Sequence, residues 1–174
     1  DTIIKNMDFE KLGKYNKEII APQIRCINNK NQNPLYFKYM PFSEKLVYNG
    51  FRKRNRLVTI FGILLNKIDR FIGIALMNMK SEISHDVYAC HGSFIIFSQN
   101  TIEKLFPVFD SNIFLFCEES DLARKAKKLG IRIIYDSSIE IFHKEDGSMS
   151  LSSDNLYEIH RDSYLYYYEK WNDR

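Results

Sequence analysis

The segment of residues 109–130 constrains the fold of this chain more than any other. It contains an aromatic run, Phe114 to Phe116, that is predicted to be buried, followed by the clearest helix in the sequence, over residues 118–129. Two lysines followed by Gly130 are typical of a helix C-terminus. Apolar residues at helical spacing form the predicted core-facing stripe of this helix: Leu122, Ala126 and Leu129.

The first turn of this helix carries three carboxylates, on Glu118, Glu119 and Asp121. Glu118 precedes the core-facing Leu122 by four residues and is therefore expected to point inward. The adjacent aromatic run would desolvate a carboxylate there and raise its pKa toward that of a general base. Acids at a strand-to-helix junction, with His143 at the end of a later strand, suit base-assisted or metal-assisted transfer chemistry.

A purely structural explanation of the acids stays open. Carboxylates in a first helical turn are favoured by the helix dipole, by about 0.3–1 kcal/mol each at the surface. Asp121 also has Arg124 and Lys125 three and four residues later, where ion pairs form along a helix.

The rest of the chain combines strand-like and helical segments, which predicts an α/β fold. Predicted strands cover residues 18–27, with Pro22 making the centre irregular, and residues 87–98, 131–135 and 138–142. Predicted helices cover residues 7–15, 99–105, 118–129 and 155–171, and residues 60–72 form one long helix or two short ones. Residues 28–34 are predicted to form a loop.

A basic segment, Arg52 to Arg56, precedes a long apolar stretch from Leu57 to Met79. Lys67, Asp69 and Arg70 interrupt that stretch, and charges at the centre of a membrane span are costly, so a transmembrane helix is not expected. Two alternatives remain: a solvated basic loop, or peripheral contact of residues 52–72 with anionic lipid headgroups.

The C-terminal helix, within residues 151–174, has a stripe of large side chains at helical spacing. This stripe predicts a docking face or a homodimer interface. It consists of Tyr157, Arg161, Tyr164, Tyr168 and Trp171.

Composition excludes several classes of protein. A chain of 174 residues fits one globular domain, and its 25 basic and 22 acidic residues give a net charge of +3, too small to indicate a nucleic-acid partner. Three scattered cysteines form no disulfide or metal-binding pattern, and no signal-peptide pattern is present at the start. We therefore expect a cytoplasmic protein. With the lipid contact described above, its location would be peripheral, at the inner face of the membrane.

Two motifs resemble family 2 inverting glycosyltransferases of the GT-A fold. Residues 109–148, FDSNIFLFCEESDLARKAKKLGIRIIYDSSIEIFHKEDGS, are similar to that family's FDE-x-F, E-(D/E)-x-D-L-x-x-R and His-x-x-x-(G)-S sequence. Residues 89–97, ACHGSFIIF, resemble the Gly-(Ala/Ser) strand that precedes the family's acceptor site. The resemblance implies the C-terminal portion of a GT-A type mixed-sheet domain with flanking helices. Residues 1–150 would form this partial domain, with a variable helical insert at 28–80, and residues 151–174 the C-terminal helix.

The resemblance also implies an activity, namely transfer of a sugar from a nucleotide-diphosphate donor to a hydroxyl, with inversion, in bacterial polysaccharide or glycolipid assembly. Glu119, where the family more often has Asp, corresponds to the base that deprotonates the acceptor. The acceptor would be a saccharide or a lipid-linked saccharide. Its implied binding residues are Glu118, Asp121, Arg124, Gly92, Ser93 and His91. Gly92 has the structural alternative of a strand glycine at a bulge.

A divalent cation, Mn²⁺ or Mg²⁺, is implied by the same resemblance. Asp1 corresponds to the last acid of the family's metal-binding motif, and His143 to a position that ligates the cation or contacts the diphosphate. Imidazole suits Mn²⁺, whereas Mg²⁺ prefers oxygen ligands. Since the nucleotide-binding half would precede Asp1, we expect this chain to be a fragment that is inactive by itself.

Two further hypotheses stay open. A non-catalytic module of the same fold would bind a saccharide or a protein partner without chemistry. A metal-dependent phosphohydrolase would use the same acids but needs additional Asp and His clusters, which the sequence lacks.

Overall fold

A computed structural model describes residues 2–80, 82–144 and 153–172. Five strands form one mixed sheet: β1 (Thr2–Asn6), β2 (Ile19–Cys26), β3 (Ser84–Val87), β4 (Ile96–Phe97) and β5 (Ile133–His143). Their order is β1-β5-β2-β4, and β3 also pairs with β5. β2 and β5 run parallel, and the other pairs are antiparallel.

Helices flank this sheet, which confirms the predicted mixed α/β class with flanking helices. They are α1 (Phe9–Leu12), α2 (Pro41–Arg52), α3 (Arg56–Asn78), α4 (Gln99–Leu105), α5 (Glu118–Lys128) and α6 (Ser153–Asn172). None of these helices, over the residues that the structure describes, combines the length and apolar character needed to span a membrane.

The two central strands are buried on both faces, as their apolar runs require. On one face, Ile19 and Ile133 belong to a core with Leu122 and Ala126 of α5. On the other face, Ile20, Ile24 and Ile141 pack with residues of the N-terminal region around α1. The sheet therefore positions α5 directly over the parallel strands.

One irregularity runs across the middle of the sheet. Pro22, which has no N–H to donate, lies opposite Asp136, and the register then jumps so that Gln23 lies opposite Glu140. The two predicted strands at 131–135 and 138–142 are consequently a single strand, β5, with an irregular centre. The irregularity at Pro22 itself was predicted correctly.

The edge of β5 is shared by two short strands. Thr2 of β1 is the register partner of His143, and Val87 of β3 is the partner of Ile133. The predicted strand at 87–98 is therefore wrong in its extent: β3 ends at Val87, and β4 begins only at Ile96, with irregular backbone between them.

Within residues 28–80, whose role as a variable insert stays a prediction, the helices are α2 and one long helix, α3, which begins after Asn55. The side chain of Asn55 accepts a hydrogen bond from the Val58 N–H at 3.2 Å, as an N-cap does. α2 and α3 cross closely at Gly50, where an added Cβ would lie 2.3 Å from Thr59 Oγ1 and 2.5 Å from the Thr59 backbone nitrogen. Glycine at this position is what allows the crossing.

The aromatic stripe of α6 packs within this chain. Tyr168 stacks on Tyr48 of α2 with ring centroids 4.2 Å apart, and Tyr164 contacts Phe51 at 5.5 Å. Tyr157 and Trp171 belong to the same core cluster. The aromatic stripe of α6 is thus a docking face, and it packs on α2 of the same chain. A homodimer through α6 stays a prediction.

Two expectations about burial are wrong. Phe114, predicted to be buried, exposes 79% of its surface, and Leu129 at the end of the predicted core stripe is about half exposed. Leu122 and Ala126 are fully buried as predicted. The stripe ends early because α5 leaves the core in its last turn.

Candidate functional site

The start of α5 has an unusual backbone. Phe116 and Cys117 have φ angles of 68° and 71°, a left-handed conformation that costs a non-glycine residue about 1–2 kcal/mol. Cys117 nevertheless accepts the first helical hydrogen bond, from the Asp121 N–H at 2.9 Å. Strained backbone of this kind is concentrated at functional sites, and here it sets the direction in which Glu118 and Glu119 leave the helix.

Glu119 reaches across to the loop between β3 and β4. Its Oε1 accepts a hydrogen bond from the Gly92 N–H at 3.0 Å. A Cβ added to Gly92 would lie 2.9 Å from the same oxygen, so a side chain here would displace the carboxylate. The structure therefore brings together two residues that the sequence analysis assigned to one site.

Beside Gly92, four polar side chains converge at the carboxyl ends of β2 and β5. The Nδ1 atom of His91 accepts the Ser93 N–H at 3.1 Å and lies 3.0 Å from Ser93 Oγ. His143, the last residue of β5, has its Nδ1 2.9 Å from Gln32 Oε1. The two imidazole ring centroids are 6.2 Å apart.

These contacts show which ring atoms are engaged. The Ser93 N–H donates to Nδ1 of His91, and Nδ1 of His143 lies within hydrogen-bond distance of the Gln32 amide oxygen. An amide oxygen only accepts, so a hydrogen bond there uses the Nδ1–H tautomer of His143, the form in which Nε2 is the ligand atom.

The loop that supplies Gln32 is fixed by an arginine of α3. Arg70 donates to the backbone oxygens of Pro34 at 2.8 Å, Asn31 at 2.7 Å and Gln32 at 3.0 Å. Burial lowers the pKa of Arg70. Three carbonyl dipoles on one guanidinium hold this loop against α3.

Asn33 ties the same loop to the site. Its side chain is completely buried, donates to Pro22 O at 2.8 Å and accepts the His91 N–H at 2.7 Å. The backbone before Gly92 is therefore held by a buried amide. Gln32, Asn33 and Arg70 were all missed by the sequence analysis, which assigned residues 28–34 to a loop by composition alone.

The pKa of Glu118 is raised, chiefly because the carboxylate is partly buried and also because the charge of Glu119 is close. This confirms the direction predicted from its position before Leu122. Glu118 and Glu119 are thus adjacent carboxylates with different surroundings. Glu119 accepts a backbone N–H, and Glu118 is partly desolvated.

The neighbouring thiols are chemically inert. Burial raises the pKa of Cys90 to about 12 and also raises that of Cys117. Both are protonated near neutral pH, and nucleophilic chemistry requires the thiolate. Their contribution to the site is packing.

Asp121 lies about 160° around α5 from Glu119, given 100° per residue. It is 2% exposed, and its Oδ1 accepts from Lys170 Nζ and from Trp171 Nε1, both at 2.7 Å. It pairs with α6, and not with Arg124 or Lys125 as the structural alternative proposed. Asp121 therefore joins α5 to α6, and an acceptor-binding role for it stays a prediction.

Arg124 is likewise occupied between helices. Its Nη2 forms an ion pair with Glu44 Oε2, and its Nε donates to Tyr167 OH at 3.2 Å. Tyr167 OH in turn donates to Glu44 Oε1 at 2.6 Å. This buried network holds α2, α5 and α6 together, and contact of Arg124 with an acceptor stays a prediction as well.

A cavity of about 240 Å³ lies between α2, α3, α5 and α6. Its lining includes Tyr36, Ser120 of the first turn of α5, and His160 of α6. Burial, together with the nearby charge of Glu119, raises the pKa of Tyr36 to about 12. Burial lowers the pKa of His160. The cavity therefore lies next to the first turn of α5, and its mostly apolar lining also includes the charged residues Lys38, Glu44, Lys67 and Arg70.

The residues that the structure describes do not form a cation site by themselves. Within residues 2–80, 82–144 and 153–172, no three His, Cys, Asp or Glu side chains are grouped so as to hold a metal ion. His143 fits as a single ligand through Nε2. Asp1 lies outside the described residues, although Thr2 after it is the register partner of His143.

The structure thus divides the predicted site residues into two groups. Those at one location are Glu118, Glu119, His91, Gly92, Ser93 and His143. Asp121 and Arg124 are held in interhelical contacts. Comparison with known proteins does not place the chain in a family, because no model of a protein family matches it and no curated protein matches it at a significant level.

Proposed function

We propose that this chain forms the acceptor side of a GT-A type glycosyltransferase, which transfers a sugar from a nucleotide-diphosphate donor to a hydroxyl with inversion. One observation carries the proposal: the Glu119 carboxylate is held by the Gly92 N–H next to the ends of the two parallel strands. Ligands of open α/β sheets bind at the carboxyl ends of parallel strands. The resemblance of residues 89–97 and 109–148 to family 2 enzymes supplies the reaction class.

Glu119 has the properties of a general base. Gly92 fixes one carboxylate oxygen, and no hydrogen bond to the other, Oε2, is found among the described residues. Oε2 takes the proton of the acceptor hydroxyl. The acceptor oxygen then forms a bond to the anomeric carbon, while the bond from that carbon to the diphosphate oxygen breaks and its electron pair leaves with the diphosphate.

A single displacement of this kind inverts the anomeric centre, because the nucleophile enters opposite the leaving group. It needs one base and no covalent nucleophile on the protein. The buried thiols nearest the site, Cys90 and Cys117, agree with this requirement, since their raised pKa values keep them protonated.

Acceptor binding is proposed for the polar groups around the base. The raised pKa of Glu118 allows it to donate as well as accept over part of the pH range, and His91 and Ser93 add polar atoms beside Gly92. The cavity next to Ser120 offers a volume for the acceptor beyond the reacting hydroxyl. A saccharide presents both hydroxyls and apolar ring faces, which suits a lining of aromatic and aliphatic side chains with a few charged groups.

A divalent cation stays part of the proposal, with His143 as one ligand and Asp1 as the second ligand that the resemblance implies. Such a cation, when bound, neutralises charge that develops on the departing diphosphate. The choice of Mn²⁺ over Mg²⁺ would follow from the imidazole ligand. A cytoplasmic location, where nucleotide sugars would be met, is proposed with it.

The experiment that tests this proposal uses the protein at the full length in which it is encoded. It is incubated with nucleotide-diphosphate sugars and saccharide acceptors, and the anomeric configuration of the product is read by NMR. Transfer with inversion supports the proposal. Transfer with retention overturns the single displacement, and metal-independent saccharide binding without transfer or nucleotide binding assigns the chain to the non-catalytic module instead.

A further inference from the structure

The long helix α3 exposes an apolar face to solvent. Its 23 residues extend about 35 Å at 1.5 Å per residue. Six large apolar side chains, five in α3 and one at its C-cap, are spaced so as to share one face and expose between 47% and 83% of their surface. We call these residues the apolar stripe: Leu57, Phe61, Leu64, Ile68, Phe71 and Met79.

The opposite face of α3 carries the small residues. A Cβ on Gly62 would lie 2.7 Å from Val47 Cγ2, and one on Gly73 would lie 2.2 Å from Phe37. Thr59 and Gly62 are the residues of α3 that are buried. The polarity of α3 is therefore reversed relative to an ordinary surface helix, which buries its large apolar side chains and exposes its polar ones.

A run of large exposed apolar side chains along one helix face is the kind of patch that marks an interaction site. The surrounding charges indicate what binds there. Between residues 52 and 80 the chain has seven basic residues and a single acid, Asp69. Asp69 faces away from the stripe, toward the loop, where its carboxylate accepts the Lys38 N–H at 3.4 Å.

Among these basic residues, Lys53, Arg56, Lys67 and Lys80 are exposed. Arg54 is neutralised by Glu158, with two hydrogen bonds of 2.6 and 3.1 Å. The stripe is thus bordered by exposed basic residues at both ends and near its middle, although Lys80 shares a pocket with Asp69, Glu82 and Asp86.

We propose that the apolar stripe of α3 lies in the interface of an anionic phospholipid bilayer, with the bordering lysines and arginine at the headgroups. An apolar helix face bordered by basic residues is the arrangement that inserts shallowly into such interfaces. A second copy of this chain fits less well. Across a two-fold axis the basic borders would face each other, and Asp69 is the only acid of this segment.

The proposal does not depend on sugar transfer, and its test measures lipid binding alone. The full-length protein is mixed with vesicles of phosphatidylcholine and phosphatidylglycerol in equal amounts, and separately with phosphatidylcholine vesicles. The bound fraction is measured by sedimentation. We expect tighter binding to the anionic vesicles, by about fivefold for each basic residue near the surface, and weaker binding as salt is added.

A matched pair of variants tests the stripe itself. Leu57→Ser/Phe71→Ser removes side chains that are 80% and 75% exposed, and Phe9→Ser/Ile27→Ser removes ones that are 72% and 69% exposed elsewhere on the surface. The first variant is expected to bind anionic vesicles at least about tenfold more weakly, and the second to bind like the parent protein. All four side chains are exposed, so neither variant should unfold the chain.

Three results would overturn the proposal. One is absence of vesicle binding by the parent protein, and another is equal binding by both variants. The third is a change of oligomeric state without lipid: the parent protein is dimeric by light scattering, and the Leu57→Ser/Phe71→Ser variant is monomeric. That result would assign the stripe to contact between copies of the chain.

Discussion

Replacing Asp121 by alanine separates a structural role of this carboxylate from a role in acceptor binding. Asp121 is fully buried and accepts two hydrogen bonds of 2.7 Å, from Lys170 Nζ and Trp171 Nε1. Hydrogen bonds to a charged group contribute about 1.5–3 kcal/mol each. Lys170 keeps a second partner in Asp110, also at 2.7 Å, so the loss falls mainly on the indole N–H.

We therefore expect Asp121→Ala to lower the free energy of unfolding by about 3 kcal/mol. With a urea dependence of about 2 kcal/mol per molar, the midpoint of unfolding falls by about 1.5 M. Trp171 is the only tryptophan of the chain, so its fluorescence reports directly on this contact during a urea titration. Asp121→Asn keeps an acceptor oxygen without the charge and should lose about half as much.

Asp86→Ala is the matched control for this experiment. Asp86 is exposed on β3 and lies 3.6 Å from Arg132 in a surface ion pair, which contributes less than about 1 kcal/mol. A change below about 0.5 kcal/mol for Asp121→Ala, equal to that of the control, would refute the structural role and return Asp121 to the candidate acceptor site.

Three other perturbations have definite expected outcomes. Gly50→Ala places a Cβ 2.3 Å from Thr59 Oγ1, so urea titration should show a loss of about 2 kcal/mol; an unchanged midpoint would contradict the close crossing of α2 and α3. Because the pKa of His160 is lowered in the folded chain, the unfolded chain binds a proton there at higher pH than the folded chain does, and the free energy of unfolding should fall as the pH drops below about 6.5. His160→Phe should remove that fall. An identical pH profile for the variant and the parent protein would refute this role of His160. Gly92→Ala should lower turnover about tenfold or more, because the added methyl group displaces the Glu119 carboxylate. The free energy of unfolding should change by less than about 1 kcal/mol, because the flexible Glu119 side chain moves aside. Full turnover would show that the Gly92 contact does not position the base.

Periodicity predicted the regular elements well where one face is buried. The helix at 118–129 was recognised from Leu122 and Ala126, and the strand at 18–27 from its run of isoleucines, because burial against the sheet fixes those patterns. The long helix α3 was recognised as helical, but its orientation was not. Its apolar residues face outward, and only the positions of Gly62 and Gly73 indicate which side packs on the protein.

Residues between elements were harder to predict. The segment after Val87 was taken for one continuous strand because its apolar residues resemble one, whereas Asn33 and Tyr36 hold Ala89 and His91 in a bent path through hydrogen bonds from a distant loop. Partners far apart in sequence leave no periodic signal. The left-handed backbone at Phe116 and Cys117 also had no signal, since neither residue type favours that conformation.

The candidate site was predicted in part for the same reason. Glu119 and Gly92 were selected by their resemblance to spaced motifs, and their contact at 3.0 Å is a feature of the folded chain. Asp121 and Arg124 belong to the same motif, but their contacts lie in α6 and α2. A motif records which residues occur together and does not separate those that meet a ligand from those that hold the helix in place.

The most direct test of the proposed chemistry is the turnover of Glu119→Gln in the full-length protein, measured with a nucleotide-diphosphate sugar and an acceptor. The amide is nearly the same size and keeps an oxygen for the Gly92 N–H, but it does not take a proton. We expect turnover to fall about 10²-fold or more with donor affinity unchanged, whereas Glu118→Gln retains most of its turnover. Near-normal turnover of Glu119→Gln would contradict the assignment of Glu119 as the base.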